Sequence, residues 1–136
     1  MKDNVIKYYQ QKMSIIDSSS IYYLKYCEIY CIFYIKPYTF ILTIHNKEIL
    51  LNYSLSKLTE NLPKFFLSCN KSTIVNILHV RSLYKKNNSY YILLYNEKKY
   101  KVSRRKVQMM KEMLIQAGNN IQICDSCVFI EARPNL

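Results

Sequence analysis

The sequence holds one glycine, Gly118, and no tryptophan. A single glycine excludes the G-x-G-x-x-G turn and the P-loop, which need several to bring backbone against phosphate. Collagen-like and glycine-rich low-complexity chains are excluded with them. A kinase, receiver or nucleotide-binding module is thereby not expected within these 136 residues. Histidine is nearly as scarce: His45 and His79 are the two present. Neither lies with a nucleophile and an orienting acid in a triad-like pattern. The nine acidic residues are scattered, so paired-carboxylate catalysis has no candidate and no enzyme is expected. No run of about 18 uncharged apolar residues occurs, so no transmembrane helix is expected. The opening stretch MKDNVIKYYQQKM carries charges throughout, unlike a signal peptide. Five cysteines, an odd number without an export signal, suit reduced thiols in the cytoplasm.

What is abundant is tyrosine and positive charge. Fourteen tyrosines among 50 % hydrophobic residues favour strands. The length suits one domain with its own core. Twenty Lys and Arg face nine Asp and Glu, a formal charge of +11. Between Lys64 and Lys111 there are twelve basic residues and one acid, Glu97; the remainder of the chain is balanced. All the excess charge therefore lies in one contiguous third. Such asymmetry points to a polyanion, either nucleic acid or an acidic membrane face.

Periodicity divides the chain. Val5, Ile6, Tyr9, Met13 and Ile16 recur at spacings of three and four, so residues 1–17 are expected to form a helical arm. Residues 18–20, all serine, are the expected linker. Strand-length runs follow over 21–27, 28–36, 39–45 and 48–53, with a hairpin turn at His45-Asn46. Ser54 is placed to cap a short helix that Pro63 ends. Further strands are expected over 64–70, 72–76, 81–85, 90–95 and 99–103, separated by Asn-containing turns. A last helix over 104–116 carries Val107, Met110, Met113 and Leu114 on one face, with Gly118 stopping it. The apolar tail is expected to pack on the domain as an extension over 118–136. The fold class is mainly β, with short antiparallel strands and a few short helices.

Two segments carry a family resemblance. The first joins Ser54, Leu55, Leu58, Leu62 and Pro63 to Phe65, Phe66, Ser72, Ile74, Val75, Asn76 and Val80. The second is Val102, Ser103 and Arg104 opening the last helix. Together they resemble the LytTR (LytR/AlgR-like) family of bacterial DNA-binding domains over residues 21–117. Upstream, Ile32 to Lys36 is similar to a further family strand, with Lys36 where Glu is common. Asn70 stands where His is common, and the loop after Lys36 is about two residues short.

The resemblance implies an elongated β fold that binds duplex DNA through loops entering major grooves, as a stand-alone transcriptional regulator of bacterial promoters. It implies base contacts from Tyr38 and Thr39, from Asn70 and Lys71, and from Arg105. Ser68, Ser72, Lys101, Arg104 and Lys106 suit phosphate oxygens, which set register rather than sequence. Arg104, Arg105 and Lys106 oppose the dipole of the helix they open, which favours an external anion over a structural role. Family sites are often direct repeats, so a second copy is an expected neighbour. The arm over 1–17 could take a regulatory protein. No small-molecule substrate and no cofactor is implied.

Other readings stay in view. A basic adaptor could bind a protein partner or an anionic membrane. Tyrosines could stack on single-stranded RNA, but they are densest in residues 8–38, away from the basic third. Cys27 and Cys31 with Cys124 and Cys127 could hold zinc, or Cys124 and Cys127 could be a redox pair. Against a metal, Cys27 and Cys31 fall in strand patterns where buried thiols are ordinary core. The spacing between the two pairs also matches no common zinc module.

Overall fold

The computed structural model describes residues 3–118. These form three antiparallel sheets and two α-helices. Strands β1 (Val5–Tyr8), β2 (Lys12–Ile16) and β3 (Ile21–Lys25) pair in that order. The central sheet holds β4 (Ile29–Ile35), β5 (Tyr38–Thr43), β6 (Glu48–Leu51), β7 (Phe66–Asn70) and β8 (Thr73–Asn76) in the order β6-β5-β4-β8-β7. The third sheet is β9 (Val80–Lys86), β10 (Ser89–Leu94) and β11 (Lys99–Val102), with β10 in the middle. Helix α1 (Leu55–Thr59) lies between β6 and β7, and α2 (Val107–Gly118) follows β11.

Alternation along the central strands sorts side chains onto two faces. Ile32, Ile41, Leu51, Phe66 and Ile74 face one core, shared with Met13, Ile15 and Leu24 of the first sheet and Leu58 of α1. Cys31, Leu42, Leu67, Cys69 and Val75 face the other, shared with Ile92, Leu94 and Val102 of the third sheet and Met110 of α2. The central sheet is thus covered on both sides, which explains why its strands are apolar at consecutive positions rather than strictly alternating.

Where a helical arm over residues 1–17 was expected, Val5–Tyr8 and Lys12–Ile16 form a β-hairpin instead. The spacing of Val5, Ile6, Tyr9, Met13 and Ile16 fits a helix only because a turn resets the phase between two strands. Tyr9 N donates to Lys12 O at 2.8 Å across that turn. On either side Ile6 and Tyr8, then Met13 and Ile15, alternate towards the core. Met13 is completely buried. Residues 18–20 do not link an arm to a body; they close the β2–β3 turn. The Asp17 carboxylate accepts from the backbone N of Ser19 and Ser20 at 2.8 and 2.9 Å. A reciprocal pair ties the hairpin to the rest: Asn4 N donates to Asn52 Oδ1 at 3.0 Å and Asn52 N to Asn4 Oδ1 at 3.4 Å, with Asn4 Nδ2 donating to Leu50 O at 3.1 Å. The inner face of this segment is part of the core, while Val5 and Tyr9 are exposed.

Local signals elsewhere match local structure. Ser54 Oγ accepts from Lys57 N at 3.2 Å and caps α1. Asn46, Asn87 and Asn88 take positive φ in hairpin turns, as short polar side chains permit. Asn76 is fully buried and holds three backbone groups. Its Nδ2 donates to Tyr26 O and Ile29 O at 3.0 and 2.9 Å, and its Oδ1 accepts from Leu78 N at 3.0 Å. The expected extension beyond Gly118, with Cys124 and Cys127, lies outside the described residues. No helix among the described residues is long and apolar enough to cross a membrane.

Candidate nucleic-acid interface

The central sheet ends in an edge strand, β7, and the end of β11 meets that edge. Ser103 N donates to Cys69 O at 2.8 Å. Asn70 completes the junction with its amide. Its Nδ2 donates to Lys101 O at 2.6 Å, and its Oδ1 accepts from Ser72 N at 2.8 Å. The β7–β8 turn carrying Lys71 is therefore fixed to the strand carrying Lys101. After Ser103 the chain makes one 3-10 turn, Arg104–Lys106, closed by Lys106 N to Ser103 O at 2.8 Å, and runs into α2.

These segments border one open cleft of about 1280 Å³. Ser68, Asn70, Lys71 and Ser72 line it from the central sheet, and Lys101 with Arg104, Arg105 and Lys106 from the β11–α2 junction. Leu55, Ser56 and Thr59 of α1 form another wall, and Lys85, Asn88 and Ser89 of the β9–β10 turn a further one. No carboxylate is among the lining residues. The single acid of the basic third, Glu97, sits at the opposite end of the third sheet, paired with Arg81 at 3.1 Å. Lys71, Lys101, Arg104 and Arg105 are exposed, so their charges stay solvated and available.

Tyr38 and Thr39 fall outside the cleft lining, although their hairpin runs beside it. Phe33 pairs with Thr73, and Tyr34 N donates to Ser72 O at 2.9 Å. The β4–β5 tip thus projects next to the β7–β8 turn. Tyr38 is 42 % exposed there. Thr39, expected to reach a base beside it, is 3 % exposed because it shares the core side of β5 with Ile41 and pairs with Leu51. The α1 wall and the β9–β10 wall were not legible as part of one site. Their signals were a capped helix and two lysines in a turn, neither of which states a neighbour.

Chemistry other than ion pairing and hydrogen bonding has little to work with. Burial pushes the Cys31 thiol up to about 11 and the Cys69 thiol up to about 12, so both stay protonated and unreactive at neutral pH. Cys31 Sγ lies 3.4 Å from the Tyr100 hydroxyl. His79 is buried with Nε2 2.6 Å from Cys27 O, a structural position. Among the described residues no group of His, Cys, Asp and Glu could hold a metal ion.

A β scaffold with cationic loops and a cationic helix start around one carboxylate-free cleft defines a polyanion-binding domain. The sequence model of the LytTr DNA-binding domain family matches residues 19–115, and the chain belongs to that family of bacterial DNA-binding domains. The fold agrees. The LytTr DNA-binding domain of a protein described as a methyl-accepting/DNA response regulator from Bacillus cereus superposes with a TM-score of 0.65 at 18 % identity. That alignment covers 77 % of this chain and 97 % of the other. No curated protein matches the chain.

Proposed function

We propose that this chain is a sequence-specific regulator of transcription, reading promoter DNA in the bacterial cytoplasm. Bases are read in major grooves by Lys71 at the β7–β8 turn and Arg105 at the α2 start, with Tyr38 at the β4–β5 tip. Arg105 is suited to the paired acceptors O6 and N7 of guanine, and Lys71 reaches such acceptors as a point charge. Asn70 keeps one amide N–H for a base, since the rest of its amide braces the site. Thr39 supports its strand, and the contact from that loop falls to Tyr38. Ser68, Ser72, Lys101, Arg104 and Lys106 hold phosphates and so fix register. Two copies on a direct repeat would lengthen the site read.

The observation that carries this reading is the gathering of Lys71, Lys101 and Arg105 around one cleft without a carboxylate. Selection of bound duplexes from a random pool tests it, and a recurring motif is the expected result. Arg105→Ala should then cost about 1–3 kcal/mol on the selected duplex and relax preference at one base pair. Lys106→Ala should weaken selected and random duplexes alike. Identical behaviour of the two variants across sequences would remove the assignment of Arg105 to a base. No enrichment of any duplex, together with co-sedimentation on anionic vesicles, would support a membrane adaptor instead.

A further inference from the structure

Resting on the DNA reading above, we infer that the β9–β10 turn is a separate clamp on the phosphodiester backbone, carried by Lys85 and Lys86. It lies beyond the loops assigned to bases.

The register places this turn beside the site. Tyr90 pairs with Lys85 on one side and with Val102 on the other, so the three share one row across the third sheet. Val102 is the last residue of β11, directly before the junction with Arg105. The turn tip, Asn87 and Asn88, stands two residues past that row, a projection of about 7 Å at strand rise. Strand β9 lies two strands from β11, about 10 Å away at ordinary strand spacing. On a duplex lying across these strands, that offset corresponds to about three base pairs. The clamp therefore meets phosphates outside the span held by Lys101 and Arg104.

The turn is also rigid enough to act as a clamp. Asn87 and Asn88 have φ of 52° and 66°, both left-handed, as a two-residue hairpin of this type requires. Tyr90 anchors it to the last helix: Lys111 Nζ lies 4.8 Å from its ring centroid and donates to its hydroxyl at 3.3 Å. Turn, α2 and the Arg105 segment are thus tied together. Lys85 and Lys86 are both exposed. A flexible ammonium recognises phosphate as a point charge and carries no base code, so the clamp adds affinity without sequence preference.

The test compares two double variants of the full chain, each lacking two positive charges. Lys85→Ala/Lys86→Ala acts on the clamp; Lys98→Ala/Lys99→Ala acts at the opposite end of the same sheet. Binding of the selected duplex and of a random duplex is measured over a salt series. The clamp variant is expected to flatten the slope of log affinity against log salt by about 2 for both duplexes. It should also shorten backbone protection on one flank by about three base pairs, while the other double variant leaves both unchanged. Lys85→Arg/Lys86→Arg should keep the wild-type slope. An unchanged slope in the clamp variant overturns this inference alone. Equal flattening in both alanine variants also overturns it, in favour of general attraction. A wild-type chain that binds no duplex overturns the inference and the DNA reading together.

Discussion

Raising salt from about 50 to about 200 mM is expected to weaken the duplex complex about five hundredfold. Lys101, Arg104 and Lys106 at the junction, with Lys85 and Lys86 on the β9–β10 turn, would give about five phosphate neutralisations, hence a log–log slope of about −4.5. Lys101, Arg104, Lys85 and Lys86 are exposed, and their fields are screened within about 10 Å at moderate salt. Random and selected duplexes should share the slope and differ in intercept, because released counterions depend on phosphates and not on bases. Fluorescence anisotropy across a salt series measures both. A slope near zero would mean that apolar contact holds the complex, and the charge asymmetry would lose its functional meaning.

The second large effect concerns folding. Asn76→Ala should destabilise the domain by about 3 kcal/mol, since three buried backbone groups lose their partner at once. Tyr26 O and Ile29 O come from the crossing between the first and central sheets, and Leu78 N from the passage into the third. One amide therefore joins all three sheets. Asn76→Asp should be no milder, because it sets a carboxylate oxygen against two carbonyl oxygens in a buried site. Denaturant unfolding reads the change as a shifted midpoint with an unchanged slope. A shift worth less than about 1 kcal/mol would show that water replaces the amide there.

The sequence made local instructions plain and long-range ones obscure. Ser54 announces a cap, and Asn46, Asn87 and Asn88 announce turns, because each acts on backbone within a few residues. The strands of the central sheet were visible as apolar runs broken by Pro37, Asn46 and Pro63. The hairpin over residues 5–16 was not. Its apolar residues satisfy a helical period by coincidence, and the pairing that decides the matter is with β3, which composition cannot express. Lys71, Lys101 and Arg105 stood out as cations from the charge count, and the family resemblance put them at one end of the scaffold. Their proximity depends on the bonds from Ser103 to Cys69 and from Asn70 to Lys101, across more than thirty positions. The burial of Thr39 was not legible for a related reason: which face it occupies follows from the strand phase set by Ile41 and Leu51.

The embedded first hairpin has a consequence for where the domain begins. The family match begins at residue 19, yet the packed core already includes Met13 and Ile15, and Asn4 bonds to Asn52. Trimming the chain to residue 19 would peel the wrapper from a greasy surface over Ile32 and Ile41 and leave a body prone to clump.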